Sequence, residues 1–139
     1  SIRYFDNLLW MLEGHAPEQC SMRGCCGLQY LVEADGSVYP CDFYGLDAYR
    51  LGNIREDVWE DLDRAREALG FVEASRHVPE KCGHCRWYPL CRNGCRRDRV
   101  LEGEQLGCSY YCEAYAGFFA YALPRLGRAR LLLRRIQAP

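Results

Sequence analysis

Residues 82–95 read Cys82-Gly83-His84-Cys85-Arg86-Trp87-Tyr88-Pro89-Leu90-Cys91-Arg92-Asn93-Gly94-Cys95. Four thiols fall within this run at the spacing C-x2-C-x5-C-x3-C, with Gly, Pro and Asn in the intervals. So short a segment, rich in turn formers, buries too little apolar surface to fold unaided. Something must tie the sulfurs together, and its identity decides the fold around them. Disulfides, zinc and iron–sulfur clusters are the candidates.

The whole chain narrows that choice. Its 139 residues predict one domain with a modest core, and ten cysteines are far above background. The opening Ser1-Ile2-Arg3-Tyr4-Phe5-Asp6 lacks the apolar run of a secretion signal. The longest apolar stretch, Ala114 to Leu123, is too short to span a membrane and stops at Pro124-Arg125. A cytoplasmic setting is therefore expected, which disfavours disulfides and leaves a metal. Residues 1–75 carry 14 acids and 6 bases, whereas residues 76–139 carry 5 acids and 12 bases. A cationic half suits nucleic acid, or an anionic metal–thiolate centre within that half. The thiols favour the second, so neither nucleic acid nor a membrane is an expected partner.

Taken in order, Ile2, Phe5, Leu8, Leu9 and Leu12 recur at helical spacing, and Gly14 can stop the helix predicted over residues 2–13. Cys20, Cys25 and Cys26 follow in a Gly-containing loop. Leu28–Glu33 and Ser37–Tyr39 flank Ala34-Asp35-Gly36 and predict a β-hairpin that delivers Cys41. Residues 43–54 read as irregular connection. Arg55–Leu69 predicts a helix with Val58, Leu62, Ala65 and Leu69 on one face and Gly70 as its stop. After the cysteine run comes a polar loop around Glu102-Gly103-Glu104. Cys108 and Cys112 then lead into a helix through Tyr115, Phe118, Phe119 and Ala122, expected to break at Pro124. The basic tail, with Arg125, Arg128, Arg130, Arg134 and Arg135, reads as an end helix that packs on a neighbouring domain. The fold class is α+β: a short hairpin, connecting helices and long ligand-bearing loops.

Thiolates suit tetrahedral zinc and iron–sulfur clusters alike. The short gap from Cys85 to Cys91 crowds four ligands into one run, which is tight around a single ion. A larger cluster tolerates it, because the last cysteine of a run can serve another cluster.

The pattern Cys26-x9-Gly36-x4-Cys41, then Cys82-x2-Cys85-x5-Cys91-x3-Cys95, then a later cysteine, resembles the SPASM domain of radical S-adenosylmethionine enzymes, a domain that carries auxiliary [4Fe–4S] clusters. Asp35-Gly36-Ser37-Val38-Tyr39-Pro40-Cys41-Asp42-Phe43-Tyr44, with Leu51-Gly52-Asn53-Ile54 after it, resembles the anaerobic sulfatase-maturating enzymes, which oxidise a Cys or Ser of a sulfatase to Cα-formylglycine.

The resemblance implies two auxiliary clusters. Cys20, Cys26, Cys41 and Cys95 would hold the first; Cys82, Cys85, Cys91 and Cys112 would hold the second. Cys25 and Cys108 are then spare, and Cys112 is preferred because Cys112-Glu113-Ala114-Tyr115-Ala116-Gly117-Phe118-Phe119 resembles the family's closing motif. Asp42 takes the general-base position, and its bland reading is a turn carboxylate. Eight thiolates and two dicationic cluster cores would carry the formal charge from −1 to about −5. Arg86, Arg92, Arg96, Arg97 and Arg99 stand among the ligands and could offset it. His84, within the run, reads as a surface residue, and Tyr39, Tyr44 and Trp87 as packing.

The radical-generating motif C-x3-C-x2-C does not occur in this sequence. The resemblance places it, with a third [4Fe–4S] cluster and S-adenosylmethionine, in an upstream domain. The expected organisation is a leading helix over residues 1–14, a SPASM domain over residues 15–122, and a basic tail over residues 123–139. A sulfatase polypeptide and the upstream domain are the implied partners. Two alternatives are another peptide-modifying enzyme of the class, such as a thioether-forming one, and a zinc-binding interaction module.

Overall fold

The computed structural model describes residues 2–137, the last four of them by helical backbone alone. Helices and small antiparallel sheets alternate, as the α+β expectation required. The chain divides into two compact units, Cys25–His77 on one hand and Ser1–Gly24 with Val78–Pro139 on the other.

In the unit Cys25–His77, β1 (Leu31–Val32), β2 (Ser37–Tyr39) and β3 (Gly52–Asn53) form an antiparallel sheet in that order. The predicted hairpin is present, paired Leu31 to Tyr39 and Val32 to Val38. Its turn is held by Asp35, whose carboxylate accepts from Ser37 N at 2.9 Å and from Ser37 Oγ at 3.0 Å. Gly36 takes φ +89°, and a Cβ there would meet Asn53 Oδ1 at 2.5 Å. A side chain is thus excluded twice, by backbone conformation and by space.

The stretch read as irregular connection ends in a third strand. Leu51 N donates to Val38 O at 2.8 Å and Ile54 N to Gly36 O at 2.9 Å, extending the ladder. Buried Asn53 locks it: its Nδ2 donates to Asp35 O at 3.0 Å and its Oδ1 accepts from Arg55 N at 2.9 Å.

The next helix, α3 (Trp59–Ala68), begins four residues later than the periodicity implies. Asp57 N is already bound to Asn53 O at 2.8 Å, and the Asp57 carboxylate accepts from Asn53 N at 2.7 Å. Asn53–Asp57 is therefore a closed turn, and Val58 remains extended. Leu62 is buried, but Val58 and Leu69 are exposed, so the apolar face is narrower than predicted. Gly70 ends the helix at φ +59° as expected. A short α4 (Phe71–Ser75) follows, and Phe71, Tyr44 and Cys41 form the core of this unit.

In the other unit, α1 (Arg3–Leu12) reproduces the predicted first helix to within a residue at each end. Its Leu8 packs with Met22 of α2 (Cys20–Arg23) and Phe119 of α7 (Cys112–Gln137). Trp87 and Tyr115 stack on Phe119, with ring centroids 6.2 Å and 6.1 Å away. Buried Asn7 turns the chain toward Cys20, because its Oδ1 accepts from Glu18 N at 2.8 Å.

Two expectations for this unit are corrected. The polar loop around Glu102-Gly103-Glu104 is the tip of a hairpin joining β4 (Arg99–Glu102) to β5 (Gln105–Ser109). Helix α7 also runs through Pro124 without ending. Proline removes one hydrogen-bond donor and crowds the preceding turn. Further along, Arg130 Nη1 donates to Leu12 O at 2.7 Å and Arg130 pairs with Glu13 at 3.4 Å, tying α7 beyond the proline to α1. Among the tail arginines, the side chains of Arg134 and Arg135 lie outside the described residues. No helix among the described residues is long and apolar enough to cross a membrane.

Candidate metal centre

The run quoted at the outset folds as consecutive single turns, each pinning a cysteine. Cys82 lies in α5 (Glu80–Gly83), and Cys85 N donates to Cys82 O at 3.1 Å. Tyr88 N donates to Cys85 O at 3.0 Å and opens α6 (Tyr88–Cys91), where Pro89 occupies an early position that needs no donor. Cys91 closes that turn with a 2.8 Å bond to Trp87 O.

Arg92, Asn93 and Gly94 then all adopt the left-handed conformation, with φ of 47°, 67° and 62°. Each non-glycine residue there costs about 1–2 kcal/mol, so a specific restraint must hold the turn. Asn93 supplies one: its Nδ2 donates to Gly107 O at 3.0 Å and its Oδ1 accepts from Ser109 N at 2.8 Å, seating the turn on β5. Arg99 supplies another, with Nε donating to Asn93 O at 3.2 Å and Nη2 to Gly94 O at 3.1 Å. Cys95 follows and accepts from Arg97 N at 3.4 Å.

All four thiols of the second expected set, Cys82, Cys85, Cys91 and Cys112, belong to this unit and share one electrostatic neighbourhood. Burial pushes the Cys82 thiol up to about 12; its contact with Cys108 and the nearness of Cys112 and Cys91 add to the rise. Burial also raises Cys91, with Cys112 and Cys85 acting in the same direction and Arg99 opposing. Cys108, set aside from the sequence as spare, is a fifth thiol here, with its sulfur 3.8 Å from that of Cys82.

The first expected set is divided between the units: Cys26 and Cys41 in Cys25–His77, Cys20 and Cys95 in the other. Cys26 and Cys41 both pack in the Phe71–Tyr44 core. Fully buried Ser75 holds Cys26, its Oγ accepting from Cys26 N at 2.8 Å. The Cys41 thiol donates to Asp42 Oδ1 at 3.2 Å. Burial lifts Cys41 to about 11, opposed by the Phe43 backbone and by Gln29, while Asp42 adds to the rise. Asp42 itself opens a short 3-10 turn (Asp42–Tyr44) on the surface. His84 is exposed, whereas Tyr44 and Trp87 lie in the two cores, as the packing assignment required.

The ten cysteines are unbridged, and burial raises Cys41, Cys82 and Cys91; thiols suit a thiophilic metal and give up their protons as they bind it. Among the described residues no three His, Cys, Asp or Glu side chains converge as ligands of one ion do. The sequence pointed to the thiols; it missed Asn93 and Ser75, whose only signals are a polar residue inside the Cys91–Cys95 interval and a serine ending a short apolar run.

Comparison with known proteins agrees. Residues 20–86 match the SPASM family model, an iron–sulfur cluster-binding domain. The chain is 47% identical over 127 residues to the cysteine-type anaerobic sulfatase-maturating enzyme of Clostridium perfringens strain 13, covering 91% of this chain and 34% of the relative. It is 29% identical to the serine-type enzyme of Bacteroides thetaiotaomicron, over 99% of this chain and 34% of that protein. The solved structure of native anSMEcpe with bound AdoMet superimposes with a TM-score of 0.85 at 45% identity, over 96% of this chain and 37% of that one. The same protein with bound AdoMet and Cp18Cys peptide gives 0.84. The chain thus spans about a third of the length of these relatives. With its cysteine spacing, its hairpin and these likenesses together, residues 20–86 carry a SPASM iron–sulfur cluster-binding domain, and the chain as a whole is similar to the corresponding third of anaerobic sulfatase-maturating enzymes.

Proposed function

We propose that this chain is the auxiliary-cluster part of a radical S-adenosylmethionine enzyme that oxidises a sulfatase Cys or Ser to Cα-formylglycine. Cys20, Cys26, Cys41 and Cys95 would hold one [4Fe–4S] cluster, and Cys82, Cys85, Cys91 and Cys112 the other. When bound, the clusters supply an acceptor or relay for the electron that the oxidation releases. The radical-forming cluster and S-adenosylmethionine belong to a separate upstream domain. The greater identity to cysteine-type than to serine-type relatives, 47% against 29%, favours a cysteine substrate. A cytoplasmic location suits ligands that must stay reduced.

The observation that carries the mechanism is the 3.2 Å bond from the Cys41 thiol to Asp42 Oδ1. A carboxylate beside a ligand position is placed to take a proton where an electron is also removed. Once Cys41 gives up its own proton to become a ligand, Oδ1 loses that donor and is open to the proton of the substrate thiol. General-base catalysis of this kind contributes about 10²–10⁴-fold. Asp42→Asn in the cluster-loaded full-length enzyme, with its three [4Fe–4S] clusters, should leave iron and sulfide at about twelve each per chain while formylglycine production, read by peptide mass spectrometry, falls by about that factor. Turnover within threefold of the parent would remove Asp42 from the base role. A colourless preparation with zinc and no sulfide would remove the cluster reading itself.

A further inference from the structure

Arg99 is buried, with 7% of its surface exposed, and its guanidinium reaches three backbone carbonyls. Two, Asn93 O and Gly94 O, belong to the left-handed turn between Cys91 and Cys95. The third is Gly24 O at 3.0 Å, just past the helix that begins with Cys20. A second observation shows the same closeness of the two segments. A Cβ on Gly24 would lie 2.8 Å from Arg92 O and 2.9 Å from Arg92 Cβ, so Gly24, at φ +78°, admits no side chain.

We infer that Arg99 is a positioning residue joining the ligand loops of both clusters, and that its charge favours their reduced state. This rests on the ligand sets proposed above. Cys20 and Cys95 are assigned to one cluster and Cys91 to the other, yet one planar fork holds the turn between Cys91 and Cys95 to Gly24, which ends the short helix that Cys20 begins. The chemistry requires arginine. Its donors are spread in a plane and can meet separate carbonyls, whereas lysine presents a compact ammonium on a flexible stem. Its fixed positive charge also opposes the negative charge added on reduction, and low-dielectric surroundings strengthen that effect.

Two substitutions separate position from charge. Each is made in the cluster-loaded full-length enzyme, with iron and sulfide counted and the clusters titrated anaerobically by paramagnetic resonance. Arg99→Lys keeps the charge and loses the fork: iron should fall by a third or more, while the clusters that remain titrate as in the parent. Arg99→Gln loses both: iron falls likewise, and the remaining clusters show a reduced-to-oxidised ratio about tenfold lower at a given poise, a 59 mV downward shift for one electron. Full iron retention in Arg99→Lys overturns the positioning role. Unchanged titration in Arg99→Gln overturns the electrostatic one. Should Arg99→Gln fail to fold, the lysine variant still decides the first point and Arg99→Met, with circular dichroism as the check on folding, the second. A parent protein devoid of iron and sulfide would instead refute the cluster assignment on which the inference stands.

Discussion

Asn93 offers the sharpest test of how the Cys91–Cys95 turn is held. Replacing it with glycine keeps the left-handed backbone at no steric cost but removes two buried hydrogen bonds, to Gly107 O at 3.0 Å and from Ser109 N at 2.8 Å. Each orphaned partner costs about 1–3 kcal/mol, and relaxation plus water entry at the hairpin return part of this, for a net of about 3 kcal/mol. Replacing it with alanine loses the same bonds and adds the left-handed penalty of about 1 kcal/mol or more at φ 67°. Hydrogen exchange of the β4–β5 amides reads the outcome directly. At 1.4 kcal/mol per tenfold, exchange should accelerate on the order of a hundredfold in Asn93→Gly and close to a thousandfold in Asn93→Ala. Rates within threefold of the parent in both variants would refute the idea that Asn93 seats the turn on β5. Equal rates in the two variants, both fast, would refute the separate conformational cost.

Four further outcomes are expected. Cys112→Ser should remove about a third of the iron from the cluster-loaded full-length enzyme while Cys108→Ser leaves it near the parent's value; the reverse result would make Cys108 the ligand, as its 3.8 Å contact with Cys82 would allow. Phe71→Ala should cost about 3–5 kcal/mol, since a fully buried ring beneath Cys41 is lost, and faster exchange at Cys41–Tyr44 would report it. Gly36→Ala should weaken the hairpin, because the new methyl meets both a positive φ and Asn53 Oδ1; an unchanged denaturation midpoint would contradict this. Burial lifts Tyr4 from 10.0 to about 12, with Tyr115 and Cys91 adding to the rise. The unfolded chain therefore ionises this tyrosine first. Stability should decline as pH rises from 10 toward 12, and Tyr4→Phe should decline less over that window.

What the sequence disclosed followed from residues with few alternatives. Closely spaced thiols without disulfides point to metal, and Ala34-Asp35-Gly36 between β-formers is a turn by its own chemistry. What it concealed depended on partners far along the chain. Gly52-Asn53 reads as punctuation until Asn53 is seen to bond the Asp35 turn, which makes it a strand. The start of α3 was obscured because Asp57 suits an N-terminal helical turn equally well when it instead closes on Asn53. The β4–β5 hairpin carries Glu102 and Glu104 at its exposed tip, and its short strands lack clean alternation. Asn7, Ser75 and Asn93 look like ordinary surface polar residues, and nothing local reports that each is buried to satisfy one loop. At the candidate site, the thiols and their spacing were legible, but the restraints that hold their loops were not.

The three left-handed residues between Cys91 and Cys95 also set the size of the piece that could be moved elsewhere. A cysteine run copied into another scaffold would carry its thiols but not the Asn93 contacts with β5 or the Arg99 fork, and the interval would relax to an ordinary helical or extended path. Cys95 would then face a direction fixed by the new host. The smallest portable unit is thus residues 82–109, with a glycine-marked segment like that at Gly24 to receive Arg99. Any lengthening of the three-residue interval forfeits that unit's geometry even with every thiol retained.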